Sequence, residues 1–195
     1  TLLLLALSVN KSALSQEPEN QMAIIAYYMG DGSDITRYKT SQLTHIIYSF
    51  LHLKGNKLAV NNKGDSLAIS RLVELKTTNP KLKIILSLGG WGGCPTCSEV
   101  FNSQQGRQEF TSSVVELLKT YHADGLDLDW VYPALESVPG HQYLPEDRHN
   151  FTHLIETLRK AFGSEYELSF AAGGFSQFLK KSEHWAKEMP MVDSG

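Results

Sequence analysis

Five short apolar segments alternate with amphipathic helical patterns along this chain of 195 residues, and that alternation limits the possible folds more than any other feature. The segments are rich in β-branched and aromatic residues, as buried strands are. They occupy residues 23–29, 43–51, 83–88, 125–131 and 167–172. A small hairpin arm is expected at residues 57–60, after the second strand.

Three helices are predicted between these strands, because apolar residues recur there at spacings of three and four. Asp65 and Ser66 are the candidate N-caps of the first helix. The apolar stripes are Ile69, Leu72 and Val73; Phe110, Val114, Leu117, Leu118 and Tyr121; and Phe151, Leu154, Ile155, Leu158 and Phe162.

This order of elements predicts a parallel sheet with right-handed crossovers, as an open doubly wound sheet or as a (β/α)8 barrel. Periodicity alone does not separate the two. A dinucleotide-binding sheet needs a G-x-G-x-x-G turn after its first strand, and Tyr28-Met29-Gly30-Asp31-Gly32 does not provide one. The content of the fourth predicted strand favours the barrel.

Composition excludes several functions. The net charge of -3 offers no basic surface for a nucleic-acid backbone, so nucleic acid is not an expected partner. Two cysteines are too few to staple a small scaffold, and a hydrophobic core must therefore hold the fold. The seven histidines form no H-E-x-x-H or similar cluster, so we expect neither a metal nor a cofactor.

The first residues are predicted to be a targeting segment. Residues 1–7 form an apolar run too short to cross a bilayer, and the small residues Ala13 and Ser15 fit a signal-peptidase site. We place cleavage after Ser15, which makes residues 1–15 a signal-peptide remnant and implies a secreted or periplasmic protein. The alternative is the start of a buried Leu-rich helix. No membrane contact is expected beyond the leader.

The fourth predicted strand carries the candidate chemistry, in the segment Asp124-Gly125-Leu126-Asp127-Leu128-Asp129-Trp130-Val131. Because side chains alternate along a strand, Asp127, Asp129 and Val131 share one face and the apolar residues share the other. Two carboxylates inside a barrel are costly to bury and would titrate as a pair. A solvated edge strand or a calcium loop fits this pattern less well, since further oxygen ligands are absent from it.

This strand resembles the D-G-x-D-x-D-W-E signature of glycoside hydrolase family 18, the retaining chitinases and their relatives. Ser87-Leu88-Gly89-Gly90-Trp91 is similar to the S-x-G-G motif of that family, and Leu43-Thr44-His45-Ile46-Ile47-Tyr48-Ser49-Phe50 resembles its second strand. The resemblance runs from about Ile24 to the end. It implies a (β/α)8 barrel that acts on β-1,4-linked N-acetylglucosamine polymers, with chitin or chitooligosaccharides as partner.

The resemblance also implies roles for particular residues. In this family the 2-acetamido oxygen of the substrate attacks the anomeric carbon, and a Glu protonates the glycosidic oxygen. Asp129 would hold the acetamido group, Asp127 would share its proton, and Asp124 would organise the turn or the inner hydrogen bonds. The central sugar subsite would be lined by Tyr27, Phe50 and Trp91.

The chain departs from the family signature at the acid, where it has Val131. Valine has no proton to give, so we expect no more than trace hydrolysis. A natural chitinase-like lectin and a truncated chitinase carrying one substitution are both possible explanations, and we favour the second. Residues 16–195 are accordingly predicted to be a partial catalytic domain with about five of eight strands, monomeric when full length.

Cys94-Pro95-Thr96-Cys97 is the remaining motif, and it falls between a predicted strand and a helix. A thioredoxin-like redox motif occupies such a position, which gives thiol oxidoreductase as a remote alternative function. A local disulfide or two spare thiols in a loop is the simpler interpretation for a secreted protein. As a zinc site the motif has only half of the ligands.

Overall fold

The computed structural model describes residues 22–194, which form one six-stranded sheet with helices packed against it. The predicted leader at residues 1–15 lies outside the described residues, and so does residue 195. None of the helices within residues 22–194 combines the length and the apolar character needed to cross a membrane.

The elements follow the predicted alternation. The strands are β1 (Ile25–Tyr28), β2 (His45–Lys54), β3 (Lys57–Ala59), β4 (Lys83–Gly89), β5 (Gly125–Asp129) and β6 (Glu167–Phe170). The α-helices are α1 (Lys63–Glu74), α2 (Cys97–Phe101), α3 (Gln104–Tyr121), α4 (Asp147–Phe162), α5 (Ser176–Lys181) and α6 (Trp185–Glu188). Single 3-10 turns lie at Ile35–Arg37, Thr40–Gln42, Leu75–Thr77 and Met189–Met191.

Five of the strands are parallel and stand in the order β1-β2-β4-β5-β6, while β3 pairs antiparallel with β2 as the predicted hairpin arm. Consecutive parallel strands are thus neighbours, each reached through a helical crossover or a loop, as in a barrel wall. The fold is a partial (β/α)8 barrel. Beyond α6, Ser194 forms a parallel bridge with Ser169, so residues 192–194 run beside β6.

The main core lies between the outer face of the strands and the helices. Leu86 on β4, Leu126 on β5 and Leu168 on β6 are fully buried there against the apolar stripes of α1, α3 and α4. Each such side chain contributes about 1.5–3 kcal/mol by leaving water. The opposite face of the same strands forms the barrel interior, where Ile47 and Ile85 are buried outside the main core cluster.

Several details differ from the sequence-based expectations, among them the bounds of β2, which extends to Lys54, and of β6, which ends at Phe170. Asn62 caps α1 rather than Asp65 or Ser66, because its side chain accepts the N–H groups of Gly64 and Asp65 at 2.7 and 3.1 Å. The strand β5 ends at Asp129, not at residue 131, since its ladder with β4 stops at the pair Gly89–Asp129. The short helices α2, α5 and α6 have too few turns to show a periodic stripe, and they were not predicted.

Candidate functional site

Four strands bring polar side chains together in the barrel interior, around Asp127 on β5. Its Oδ2 accepts hydrogen bonds from Ser87 Oγ at 2.8 Å and from Tyr27 Oη at 3.3 Å. Its Oδ1 accepts from Ser169 Oγ at 2.7 Å. Ser87, Asp127 and Ser169 occupy paired positions on β4, β5 and β6, while Tyr27 reaches across the interior from β1. We call Tyr27, Ser87, Asp127, Asp129 and Ser169 the carboxylate cluster.

Asp127 is 1% exposed, and within residues 22–194 the side chains that donate hydrogen bonds to its carboxylate are all neutral hydroxyls. Burial raises the pKa of Asp127, although the three hydroxyls oppose that rise by stabilising the charged form. Burial also raises the pKa of Tyr27, with smaller contributions from the charges of Asp127 and Asp129. Tyr27 therefore remains a protonated hydrogen-bond donor at neutral pH.

Asp129 stands two residues further along β5 and is partly buried. Burial, followed by the charge of Asp127, raises its pKa to about 6. Among residues 22–194 no side chain donates a hydrogen bond to its carboxylate. The oxygens of the Asp129 carboxylate are thus available to a ligand. A small change in pH near 6 alters the protonation of this group.

Val131 follows the end of β5 and is half-buried. Its carbonyl oxygen accepts a hydrogen bond from Ser137 Oγ at 2.7 Å, and the same hydroxyl accepts the N–H of Tyr132 at 3.2 Å. Ser137 in this way fixes the turn after β5. Val131 is the second residue after Asp129, beyond the end of the β5 ladder, and its side chain is uncharged and aprotic.

Three aromatic residues were predicted to line a sugar subsite, and they differ in exposure. Tyr27 is 51% exposed and Trp91 is 70% exposed. Phe50 is half-buried, and its ring lies so close to Gly90 that a Cβ there would be 2.6 Å from the ring carbons. Phe175, which was not predicted, adds an exposed ring beyond β6 at 5.2 Å from the ring of Tyr132.

Asp124 lies at the opposite end of β5 and is not part of the carboxylate cluster. Both of its oxygens accept hydrogen bonds from Lys76 Nζ at 2.8 Å, and Oδ2 also accepts the N–H of Ile84 at 2.8 Å. These hydrogen bonds connect Asp124 to the 3-10 turn that follows α1 and to β4. Its contacts are those of a residue that organises the start of the strand.

Cys94 and Cys97 form a disulfide between β4 and α2. Cys94 is 7% exposed and Cys97 has no exposed surface, so the pair is largely shielded from a protein-sized substrate. An oxidoreductase cysteine has to be partly exposed to attack, and this burial therefore favours the structural interpretation. Within residues 22–194 no group of three or more His, Cys, Asp or Glu side chains is arranged to hold a metal ion.

The two serines of the carboxylate cluster were missed as site residues. Ser87 stands within a quoted motif, but nothing in the sequence assigned its hydroxyl to Asp127, and Ser169 was not singled out. The strand register would have identified both, because Ser87 and Ser169 pair with Asp127 on the two neighbouring strands. Inward-facing positions on adjacent strands come together at the same height in the barrel.

Comparisons with known proteins identify the family of the chain and its structural relatives. The family model described as "Glycosyl hydrolases family 18" matches residues 23–194. Chitinase A1 of Niallia circulans is 36% identical over 132 residues, which are 64% of this chain and 19% of that protein. Chitinase-3-like protein 2 of Homo sapiens is 35% identical over 127 residues, which are 65% of this chain and 30% of that protein.

Among solved structures, the chitinase domain of the spore coat protein CotE from Clostridium difficile superposes with a TM-score of 0.81 at 26% identity. The match covers 96% of this chain and 52% of that one. This chain spans less than a third of the length of the two curated relatives named above. The similarity includes the strands that carry the carboxylate cluster.

Proposed function

This chain belongs to glycosyl hydrolases family 18, and from that premise we propose that its carboxylate cluster binds β-1,4-linked N-acetylglucosamine chains without hydrolysing them efficiently. The observation that carries the proposal is Val131. It occupies the position of the family's acid beside two retained carboxylates, Asp127 and Asp129. The carboxylates that would hold the sugar are present in this sequence, whereas the glutamate that would donate the proton is replaced by valine.

Asp129 is assigned to the acetamido group of the bound sugar. Its carboxylate has acceptor oxygens free of side-chain donors within residues 22–194, and the N–H of an acetamido group is a matching donor. The burial of Asp129, followed by the charge of Asp127, raises its pKa to about 6, so a proton shared within the pair is available near neutral pH. The two residues would hold and polarise the acetamido group together.

Hydrolysis needs a general acid in addition to the two carboxylates. In the substrate-assisted mechanism the acetamido oxygen attacks the anomeric carbon while an acid protonates the departing glycosidic oxygen. The Val131 side chain has no proton to transfer, and the loss of a positioned general acid costs about 10²- to 10⁴-fold in rate. Bound oligosaccharide would therefore dissociate intact in most encounters.

The aromatic residues supply the remaining contacts. The exposed rings of Tyr27 and Trp91 suit the apolar C–H face of a pyranose, and Phe50 extends the same surface. Tyr27 also donates its hydroxyl to Asp127, which couples the sugar platform to the carboxylate pair. The ligand class that fits this combination is a chitooligosaccharide.

Hydrolysis is the second candidate function, in which Val131 is a substitution in an otherwise working chitinase. The supporting observation is that three hydroxyls donate hydrogen bonds to Asp127, so the inner half of the carboxylate pair is fully built. Secretion into an oxidising compartment is proposed for either function, because a disulfide such as Cys94–Cys97 persists there and is rare in the cytosol.

Calorimetric titration of the purified chain with penta-N-acetylchitopentaose tests the proposal. We expect saturable binding, together with no more than trace shorter oligosaccharides when the mixture is later separated by chromatography. Cellopentaose is the matched control ligand, since it has the same linkage without acetamido groups, and it should bind much more weakly. Rapid release of shorter oligosaccharides would favour the second candidate, and the absence of binding would overturn the proposal.

A further inference from the structure

The loop between β4 and α2, residues 90–96, carries Trp91 and is rich in glycine; we call it the Trp91 loop. Gly90 and Gly92 both have φ of +78°, and Gly89 before them has φ of +111°. Glycine occupies this left-handed region easily but loses more conformational freedom than any other residue when it is ordered. Contacts outside the loop must therefore hold Trp91 in one position.

The first of these contacts fixes the start of the loop to the carboxylate cluster. The N–H of Gly90 donates to the carbonyl oxygen of Asp129 at 3.0 Å, and the ring of Phe50 lies directly against Gly90. Gly93 then closes a turn by donating its N–H to the Gly90 carbonyl at 3.0 Å. Trp91 therefore directly follows a residue that is hydrogen-bonded to the backbone of Asp129.

The second contact is the Cys94–Cys97 disulfide at the other end of the loop. Cys97 is the first residue of α2, and both cysteines belong to the main hydrophobic core. The disulfide is thus a covalent cross-link, in addition to the backbone, between the end of the loop and the first residue of α2. Between the two anchors the loop has freedom, because a Cβ added at Gly92 would meet nothing within 4 Å.

Space behind the Trp91 loop would let it move if that link were opened. A cavity of about 470 Å³ separates the loop from the β2–β3 hairpin. Gly92, Gly93, Pro95 and Thr96 line one side of it, and residues of the hairpin, among them Asn56, line the other. A loop that lost its link to the core has room to shift into this cavity and carry Trp91 with it.

We propose that the Cys94–Cys97 disulfide is a positioning element for sugar binding, which holds Trp91 at the edge of the carboxylate cluster. Opening it weakens chitooligosaccharide binding although neither cysteine touches the sugar. This inference rests on the proposed function. A disulfide that closes so short a loop restricts the unfolded chain less than one closing a long loop, so its main consequence is local.

The test is a mutant cycle measured by calorimetric titration with penta-N-acetylchitopentaose. Wild type, Cys94→Ala, Trp91→Ala and the double variant are compared. We expect Cys94→Ala to weaken binding about tenfold, as the mobile tryptophan must be ordered by the ligand. In the Trp91→Ala background the same change should alter affinity by less than about twofold, because the residue it positions is gone. Thr96→Ala, in the same loop with the disulfide intact, is the matched control.

Each outcome decides the inference. Wild-type affinity in Cys94→Ala would overturn it and leave the proposed function standing. An equal loss in both backgrounds would also overturn it, because the disulfide would then act on the fold and not through Trp91. A wild-type chain that binds nothing would overturn both.

Should Cys94→Ala fail to fold, the wild-type chain reduced with a phosphine replaces it, with free thiols counted to confirm reduction. We then expect an affinity loss of the same size that is recovered on reoxidation. An unchanged affinity in the reduced chain would overturn the inference.

Discussion

The two ends of β5 carry the same residue type in opposite electrostatic surroundings. At the amino end Asp124 meets Lys76 at 2.8 Å, and nearby His45 meets Glu167 at 2.9 Å. At the carboxyl end Asp127 is bonded only to neutral hydroxyls, and Asp129 has no hydrogen-bonding side chain among the described residues. Charged side chains at the amino end are paired with each other. At the carboxyl end no described side chain of opposite charge is bonded to the two carboxylates.

This difference separates stability from function within a single strand. Paired charges at the amino end lower the free energy of the fold, because each carboxylate has a donor that replaces water. Uncompensated carboxylates at the other end raise the free energy of the fold, and they persist where a ligand can use them. Barrel enzymes generally place their chemistry at the carboxyl ends of the strands.

The largest expected effect comes from returning an acid to the carboxyl end. Val131→Glu, in a full-length barrel that supplies the last three strands from a family member, should raise the hydrolysis rate about 10²- to 10⁴-fold. The rate is measured with a chromogenic chitobioside. Val131→Gln is the control, since glutamine has nearly the shape of glutamate but no acidic proton to transfer. A well-folded Glu variant without turnover would mean that the rest of the site has also changed.

A smaller effect is expected from removing the charge at the amino end. Asp124→Asn deletes the ion pair and leaves Lys76 without its carboxylate, so the free energy of unfolding should fall by about 1–3 kcal/mol. Urea denaturation at neutral pH measures this change. Oligosaccharide affinity should stay at the wild-type value, and a marked loss of affinity would contradict the separation of the two ends.

The same substitution at the carboxyl end should have the opposite sign. The fold raises the pKa of Asp129 to about 6, so it favours the protonated form, and stability is lost as pH rises from about 4 through 6. Asp129→Asn removes this loss. Because the group is partly exposed, we discount for solvent screening and expect a gain of only about 1–2 kcal/mol above pH 7.

The pH dependence is the check on that prediction. Urea denaturation of wild type and Asp129→Asn should give equal free energies of unfolding near pH 3.5, where both side chains are neutral, and diverge as the pH rises. A variant that is less stable than wild type at neutral pH would show that Asp129 is compensated in the fold.

The end of a strand was predicted well where the apolar pattern stops at the same residue as the hydrogen-bonded pairing with the neighbouring strand. Residues 83–88 predict β4 to within one residue, because its apolar run stops at a glycine pair. Residues 125–131 overrun β5, since Trp130 is apolar enough to extend the pattern while its ring packs between helices, 5.4 Å from the ring of Phe101. Pattern alone does not reveal where a strand loses its partner.

The site was predictable only in part. Asp127 and Asp129 stand out because carboxylates alternate with apolar residues on a strand that should be buried, and their roles stay a prediction. Ser169 carried no such signal, since a serine on a strand is ordinary until the register sets it opposite Asp127. The Cys94-x-x-Cys97 spacing left a redox motif and a disulfide open, and the fold formed the disulfide.

The unequal exposure of the tryptophans gives the molecule its own optical probes. Trp130 is 6% exposed behind β5, whereas Trp91 is 70% exposed on its loop. Trp185, the third tryptophan, is partly buried and donates its indole N–H to the Leu179 carbonyl. Fluorescence of Trp130 therefore follows the integrity of the barrel wall. An aqueous quencher acts on Trp91 and so reports separately on the surface proposed to bind sugar.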